Sequence, residues 1–444
     1  MGRTYRWALG WALLTAVSVT SRPAAQLEAN SIAPTVPAAA GPSGELTLGD
    51  ALAAVLRGNP HLAAFSWRVR AREAETLQAG LRLNPELGLE LEDFAGSDGL
   101  SGFGGSETTI SLSQLLEMGG KRSKRLRVAE LDHDLAAWEY EAVRTDVLAE
   151  AAKAFVQVLA AQELLALAGQ LVGVADDVLE SVGKLVKAGG VSPVEESRAR
   201  VDLESARIDL AQARHELSIA RTRLAATWGS ARPDFRVASG DLEEKANIPP
   251  LAELRERIEE NPEVARWRTE LHRRRAELSL ERANRLPDLT LGGGVRHHSE
   301  SGDTGFLLGL TLPLPLFDRN QGSSAAAAFQ EEGAEEERRA AMVRGEVTLS
   351  VAYERFRAAE AEVAALSDRL LSEAESAFSA TRDAYAGGLM RFTDVLDARR
   401  VTFELRARRV RALARYHAAA TEIARQVGSA PHGEERAEEE EKTE

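Results

Sequence analysis

Asn59-Pro60 and Asn261-Pro262 open two stretches of this 444-residue chain that read alike. "GNPHLAAFSWRVRAREAETLQAGLRLNPELGLELEDF" (58–94) corresponds to "ENPEVARWRTELHRRRAELSLERANRLPDLTLGGGV" (260–295). Asn84-Pro85 falls opposite Leu286-Pro287, and "SLSQLL" at 111 opposite "TLPLPL" at 311. "KAGGVS" at 187 then meets "YAGGLM" at 385, and Trp228-Gly229 meets Val427-Gly428. The landmarks keep one order and one separation of roughly 200 residues, far too long for a solenoid unit. The chain is therefore read as a duplicated half-protein, 46–230 and 251–428, joined by a linker over 231–250 that contains "SGDLEEKANIPP".

Each half follows one plan. A helix of about 30 residues comes first (50–82; 252–285), with Asn-Pro near its start as an early boundary. A β-hairpin follows (83–117; 286–317). Leu87, Leu89 and Leu91 alternate with Gly88, Glu90 and Glu92, and Ile110 and Leu112 with Thr109, Ser111 and Ser113. That period of two predicts strands with one oily and one polar face. Leu289, Leu291 and Val295 repeat it, and Phe306, Leu308, Leu310 and Leu312 return. A very long helix comes next (119–188; 321–386). In the first copy Leu131, Leu135, Trp138, Ala142, Ala149, Ala152, Val156 and Leu159 form a coiled-coil-like seam. Paired glycines then turn the chain into a return helix (193–228; 391–427).

Composition narrows the possibilities. Aromatics are 5% of the residues, which suits long, closely packed helices. A formal charge of −14 argues against nucleic acid as a partner. There is no cysteine, which excludes disulfides and a lipid-modified N-terminal cysteine. Residues 1–25 read as a secretory signal: Arg3 and Arg6, an apolar run from Trp7 to Val19, then small residues. Residues 26–45 read as a flexible segment and 429–444, "EERAEEEEKTE" at their heart, as an acidic disordered tail. Beyond the signal, no apolar run reads as long enough for a membrane helix, so any further membrane contact falls to strands or partners.

Four amphipathic strands cannot close a membrane barrel, for which about eight is the practical minimum. Either they form a soluble sheet, or several copies build one barrel. Three copies supply twelve strands, an even number within the known range.

The order helix, hairpin, long helix, glycine turn, return helix, twice over, resembles the TolC-like family of outer-membrane efflux proteins along 45–428. "LLEMGGKRSKR" and "LPLPLFDRNQG" are similar to its heavy-metal, CzcC-type branch, and "YAGGLMRFTDVLDA" to the family's periplasmic turn. The resemblance implies a mainly α fold with four membrane strands. It implies a homotrimer whose 12-stranded barrel in the outer-membrane lipid continues as a periplasmic α-helical barrel. It also implies a periplasmic adaptor and an inner-membrane pump as partners, and a passive channel that needs no cofactor. An exit duct for drugs or secreted proteins is the alternative within that class, and a soluble periplasmic coiled-coil scaffold is the alternative outside it.

Asp394 and Asp397, three apart after the second glycine turn, share a helix face. By resemblance they ring the pore constriction, with Tyr385 in a latch and Glu196 as the first-half counterpart of Asp394. The other reading is an acidic first turn stabilised by the helix dipole. Where the family has a basic latch residue this chain has Met390, followed by Arg391. Ala188, Gly189, Gly190, Val191 and Ser192, with Ala386, Gly387, Gly388, Leu389 and Met390, form two tips read as adaptor-docking turns. Gly119, Gly120, Pro313 and Pro315 mark the change from strand to helix. Lys121, Arg122, Lys124, Arg125 and Arg319 are expected at the membrane–water boundary, reaching phosphate head groups. His297 and His298 are adjacent in a strand, so they point to opposite faces and read as a loop edge rather than a metal site. No Walker loop, H-E-x-x-H or G-x-S-x-G motif is present, and nothing points to catalysis.

Overall fold

A computed structural model of the chain describes residues 42–97, 102–366 and 368–428. The expected signal (1–25), most of the segment 26–45 and the acidic tail (429–444) lie outside the described residues. Among the described residues, sixteen elements alternate two short starts with two long helical runs. The first half comprises β1 (Gly44–Leu46), α1 (Leu48–Gly58), α2 (Pro60–Ala79), β2 (Glu86–Glu92), β3 (Glu107–Leu116), α3 (Lys121–Lys187) and α4 (Pro193–Thr227). The second comprises β4 (Phe235–Ala238), α5 (Leu251–Glu256), a 3-10 turn (Ile258–Glu260), α6 (Pro262–Ala283), β5 (Leu289–His298), β6 (Thr304–Thr311), α7 (Gln321–Ala365), α8 (Asp368–Ala386) and α9 (Phe392–Gln426).

The helix expected over 50–82 is two helices. Pro60 supplies no N–H, and Asn59 before it is extended (φ −69°, ψ 116°). The Asn59 side chain accepts from Leu62 N at 2.8 Å, capping α2, and donates to Thr227 O at 2.7 Å. Asn261 does the same in the second half, accepting from Glu263 N (2.8 Å) and donating to Gln426 O (3.0 Å). Each Asn-Pro thus ties the start of a half to the end of that half's return helix. The expected helix 321–386 is also interrupted: α7 ends at Ala365 and α8 begins at Asp368. Arginines of α9 hold this break, Arg408 and Arg415 on Glu362 and Arg409 on both Asp368 and Glu243.

The linker is not structureless. β4 pairs in parallel with β1, which begins inside the segment expected to be flexible. The Gln162 side chain closes the other side of β4, bonding Ala238 N (2.8 Å) and O (2.9 Å) as a neighbouring strand would. Beneath this pair lies the first core, centred on Val55, Phe155, Val158, Leu224, Trp228 and Phe235. A second core joins Leu254, Ile258, Leu349, Phe356, Tyr416 and Ile423. Of the expected α3 seam, Leu131, Leu135, Ala149, Ala152, Val156 and Leu159 are buried. Trp138 is half-buried and donates to Thr269 Oγ1 at 3.1 Å. Contrary to the sequence reading, α3 is long and apolar enough by length and composition to cross a membrane. One side of its apolar stretch faces the first core, and the other floors an open groove of about 1460 Å3 between α4 and α9.

The four remaining strands form one antiparallel sheet in the order β2-β3-β5-β6, so the two hairpins meet through β3 and β5. Leu89, Ile110, Val295 and Phe306 stand in one row, all exposed; Leu87, Leu112, Leu308 and Leu310 extend the same oily face. Its reverse carries Gly88, Ser111 and Gly294, and beyond them Glu90, Thr109 and Arg296. β2 and β6 are open edges.

Candidate functional site

The sheet and the helices meet at a joint that sequence patterning located. Gly119 and Gly120 both take the left-handed conformation (φ 69° and 70°). A Cβ on Gly119 would meet Leu286 Cδ1 at 2.8 Å, the movable end of a side chain, so it is the left-handed backbone that selects glycine there. In the second half Asn320 (φ 54°) holds the matching place directly before α7. Asparagine is the side chain that best tolerates this conformation after glycine. Its amide is anchored on Glu281 O at 2.9 Å. Pro313 and Pro315 follow the end of β6 at Thr311, in a stretch without regular secondary structure.

The basic run after Gly120 turns inward. Lys121 Nζ donates to Asp288 Oδ1 at 2.7 Å, and Met118 N donates to the same oxygen at 2.9 Å. Arg122 Nε donates to Gly80 O and Arg125 Nε to Ala79 O, covering the C-terminal carbonyls of α2. Arg125 also pairs with Glu117, and Lys124 donates to Ser279 O near the end of α6. Arg319 donates to Leu316 O. Lys121, Arg122, Lys124 and Arg125 therefore bond helix-end carbonyls and carboxylates of the joint. Orphan carbonyls at helix ends attract cations, and a sequence cannot say whether a basic side chain bends toward them or toward lipid.

At the opposite end of the long helices the two tips have one geometry. Gly189 and Gly388 are left-handed (φ 77° and 75°). Gly189 N donates to Val186 O and Gly190 N to Leu185 O; Gly388 N donates to Tyr385 O and Leu389 N to Ala384 O. Both are glycine-terminated helix ends of the Schellman type. Gly189 thus matches Gly388, one residue off the alignment of "AGG" with "AGG". Ser192 caps α4 and Arg391 occupies the same place before α9. Leu389 is 83% exposed. Ala188, Val191, Ala386, Gly387 and Met390 complete the two turns.

That one-residue shift changes the acidic assignment. The counterpart of Asp394 is Glu195, not Glu196. Glu195 accepts a 2.6 Å bond from Tyr385 Oη, while Glu196 pairs with Arg200 along its own helix. Burial, then the Glu195 carboxylate beside it, pushes the Tyr385 hydroxyl pKa up. Tyr385 packs on Phe392, ring centroids 5.5 Å apart, within a cluster of Val178, Val182, Ala199 and Val395. Asp394 accepts Arg391 N (3.1 Å) and Arg391 Nη2 (3.2 Å). The backbone bond above all, with the guanidinium, holds its carboxyl below the usual range. Asp397 is exposed and pairs with Arg400 at 3.3 Å. Above them Arg399 of α9 reaches Asp202 of α4 in a buried ion pair at the lower end of the groove. Glu195 and Asp202 lie seven residues apart, as do Phe392 and Arg399; that heptad spacing was the available signal for this second link between the halves.

The model of one family, described as outer membrane efflux protein, matches residues 51–230 and again 254–429. The chain belongs to this family. It is 35% identical over 386 residues to the cobalt-zinc-cadmium resistance protein CzcC of Cupriavidus metallidurans, spanning 87% of this chain and 91% of that one. The nickel and cobalt resistance protein CnrC of the same organism is 34% identical over 60% of this chain and 63% of its own length. Among solved structures, CusC superposes with a TM-score of 0.74 at 17% identity, covering 86% of this chain and 92% of that one. VceC of Vibrio cholerae gives 0.70 at 17% identity, covering 86% and 96%. The fold is that of the TolC-like channels, and this outer-membrane efflux protein is mostly helical.

Proposed function

We propose that this efflux protein is the exit duct of a tripartite system exporting heavy-metal cations. It works as a homotrimer in the outer membrane, with its helices in the periplasm, docked to an adaptor and supplied by an inner-membrane pump. The observation that carries the metal reading is the 35% identity to a cobalt-zinc-cadmium resistance protein along nearly the whole chain. The sheet supports the barrel. Its two open edges, β2 and β6, continue the antiparallel alternation when β6 of one copy meets β2 of the next, and three copies close twelve strands. Its oily face suits lipid, where an unpaired edge would cost several kcal/mol per group. In cells lacking the chain, tolerance to cobalt, zinc and cadmium should fall and return with the gene. Heat-resistant trimers should appear in the outer-membrane fraction; soluble elongated dimers would sink the reading.

In this duct the tips narrow the pore, and Asp394 and Asp397 of three copies surround it, with Tyr385 and Glu195 fastening one half to the other. Arg391 and Arg400 temper the ring's negative charge. Asp394→Ala with Asp397→Ala should lower cation-over-anion permeability in planar bilayers roughly threefold. An unchanged reversal potential would remove both residues from the constriction. The turns are the adaptor contact, because glycine allows close backbone approach. Gly388→Trp should abolish efflux while trimers still reach the membrane. Leu389→Asp tests the same surface without the left-handed strain, and full metal tolerance in both variants would place docking elsewhere.

A further inference from the structure

We propose that a second copy repeats, between chains, the joint that Asp288 makes within one, with Glu86 of one copy accepting Arg319 and Gln321 of the next. In the barrel reading, on which this contact rests, β6 of one copy meets β2 of its neighbour. The helices beside the sheet lie in the same order as the strands. α3 packs on α2 and on α6, and α6 packs on α7, matching β2-β3-β5-β6. This layer therefore ends at α2 and α7, the helices that adjoin the open strands β2 and β6.

The duplication says what belongs at those ends. With Asn59 set on Asn261, Glu86 falls on Asp288, Leu81 on Ala283, Leu77 on Ser279 and Trp67 on Thr269. With Gly120 set on Asn320, Gln321 takes the place of Lys121, and Arg338 that of Trp138. Each of the α6–β5 positions is occupied by the α3 side of the joint. Asp288 accepts Lys121 Nζ and Met118 N, Ser279 O accepts Lys124, and Thr269 accepts Trp138 Nε1. Ala283 is buried, its carbonyl beside Gly119. The α2–β2 counterparts are bare. Glu86 is exposed, and its carboxylate has no partner among the described residues. Trp67, Leu77 and Leu81 are half-exposed. At the other open end Arg319 is exposed, and its guanidinium meets no carboxylate among the described residues, only Leu316 O. Asp318 beside it is turned to its own chain, accepting Asn320 N at 2.9 Å.

Setting the next copy's α7 against α2, as α3 sets against α6, answers each bare position. Glu86 then faces the start of α7, where Arg319 and Gln321 supply the donors that Lys121 and Met118 supply to Asp288. Trp67 faces Arg338, a ring against a guanidinium where the chain itself sets Trp138 against Thr269. Arg70 lies over that ring at 4.8 Å on one side, and Arg338 has a buried Nε without an acceptor. Leu77 and Leu81 lose water as Ala283 does. The contact is heterologous, α7 against α2, so repeating it about an axis closes a ring.

The chain has no cysteine, so a reactive pair can be introduced cleanly. Glu86→Cys with Arg319→Cys, treated with a short bismaleimide in outer-membrane vesicles, should give covalent dimers and trimers on denaturing gels. Each single cysteine should leave monomers, because like positions of adjacent copies are four strands apart, about 19 Å at the usual strand spacing. Charge is tested separately. Glu86→Arg and Arg319→Glu should each cut the fraction of heat-resistant trimer roughly in half, and the two together should restore it. Heat-resistant trimers that do not cross-link through the cysteine pair would overturn this inference and leave the barrel reading standing. A double reversal no better than either single one would overturn the Glu86–Arg319 contact. Absence of trimers from the wild type would overturn the barrel reading and this inference with it.

Discussion

Asp288→Ala is expected to destabilise the protein by about 3–5 kcal/mol, the usual effect of stripping one partner from a buried ion pair. The Lys121 side chain is 11% exposed, and Asp288 is its hydrogen-bonded counter-charge at 2.7 Å. Removing the carboxylate leaves an ammonium with little water and deprives Met118 N of its acceptor. The reverse change should be milder. Lys121→Met removes the charge and keeps the packing, while Asp288, 26% exposed, retains the Met118 bond. The double variant should therefore be more stable than Asp288→Ala alone, a positive coupling of the kind contacting residues show. Urea unfolding in detergent, followed by circular dichroism, measures all three. A loss below about 1 kcal/mol for Asp288→Ala would mean that the joint is looser than its geometry indicates. The pair has a positional consequence as well. Lys121 begins α3 and Asp288 precedes β5, so one contact sets the helices of the first half against the strand of the second.

Much of this joint was legible in sequence, and the illegible part has a physical cause. Alternating leucines forecast the strands because a half-buried or lipid-facing strand leaves a period of two whatever its partners. Gly119-Gly120 forecast a change of direction because left-handed backbone selects glycine. Asn320, which does the same work, carries no comparable signal, since asparagine is ordinary in caps and loops. The basic run forecast only that cations were needed. Whether they neutralise lipid phosphates or helix carbonyls depends on what folding brings within reach, here the end of α2 and Asp288. The tip shows the same limit. The duplicated glycine pair aligned the halves to within one residue, but residues one apart on a helix point about 100° away from each other. Hence the alignment set Glu196 against Asp394 where the fold sets Glu195, and Asp202 and Arg399, visible only as heptad partners, were passed over.

Glu422→Gln should lower stability by about 2–3 kcal/mol at neutral pH and by much less near pH 2. Burial alone would raise the Glu422 carboxyl. Hydrogen bonds from Arg425, Lys153 and Gln426 outweigh it and hold the pKa at about 2, against an ordinary 4.5. A depressed carboxyl stabilises the folded state fully above its unfolded pKa and loses that contribution as pH falls through the folded one. The window is therefore about pH 4.5 down to about pH 2. The lower part of the energy range is the better expectation, because Lys153 is a third exposed and its attraction is screened. Arg425 also reaches Asp146 at 2.7 Å, so the group bridges α9 to α3 at two points. It holds the return helix of the second half against the long helix of the first, above the groove and well away from the tips. Acid unfolding of the wild type should show this group's share of the pH dependence, and Glu422→Gln should flatten it. Equal destabilisation at pH 7 and pH 3 would show that the glutamine packs poorly and that the carboxylate's charge contributes nothing. A pH-dependent loss would instead make this ion network one of the fastenings between the two halves of the helical body.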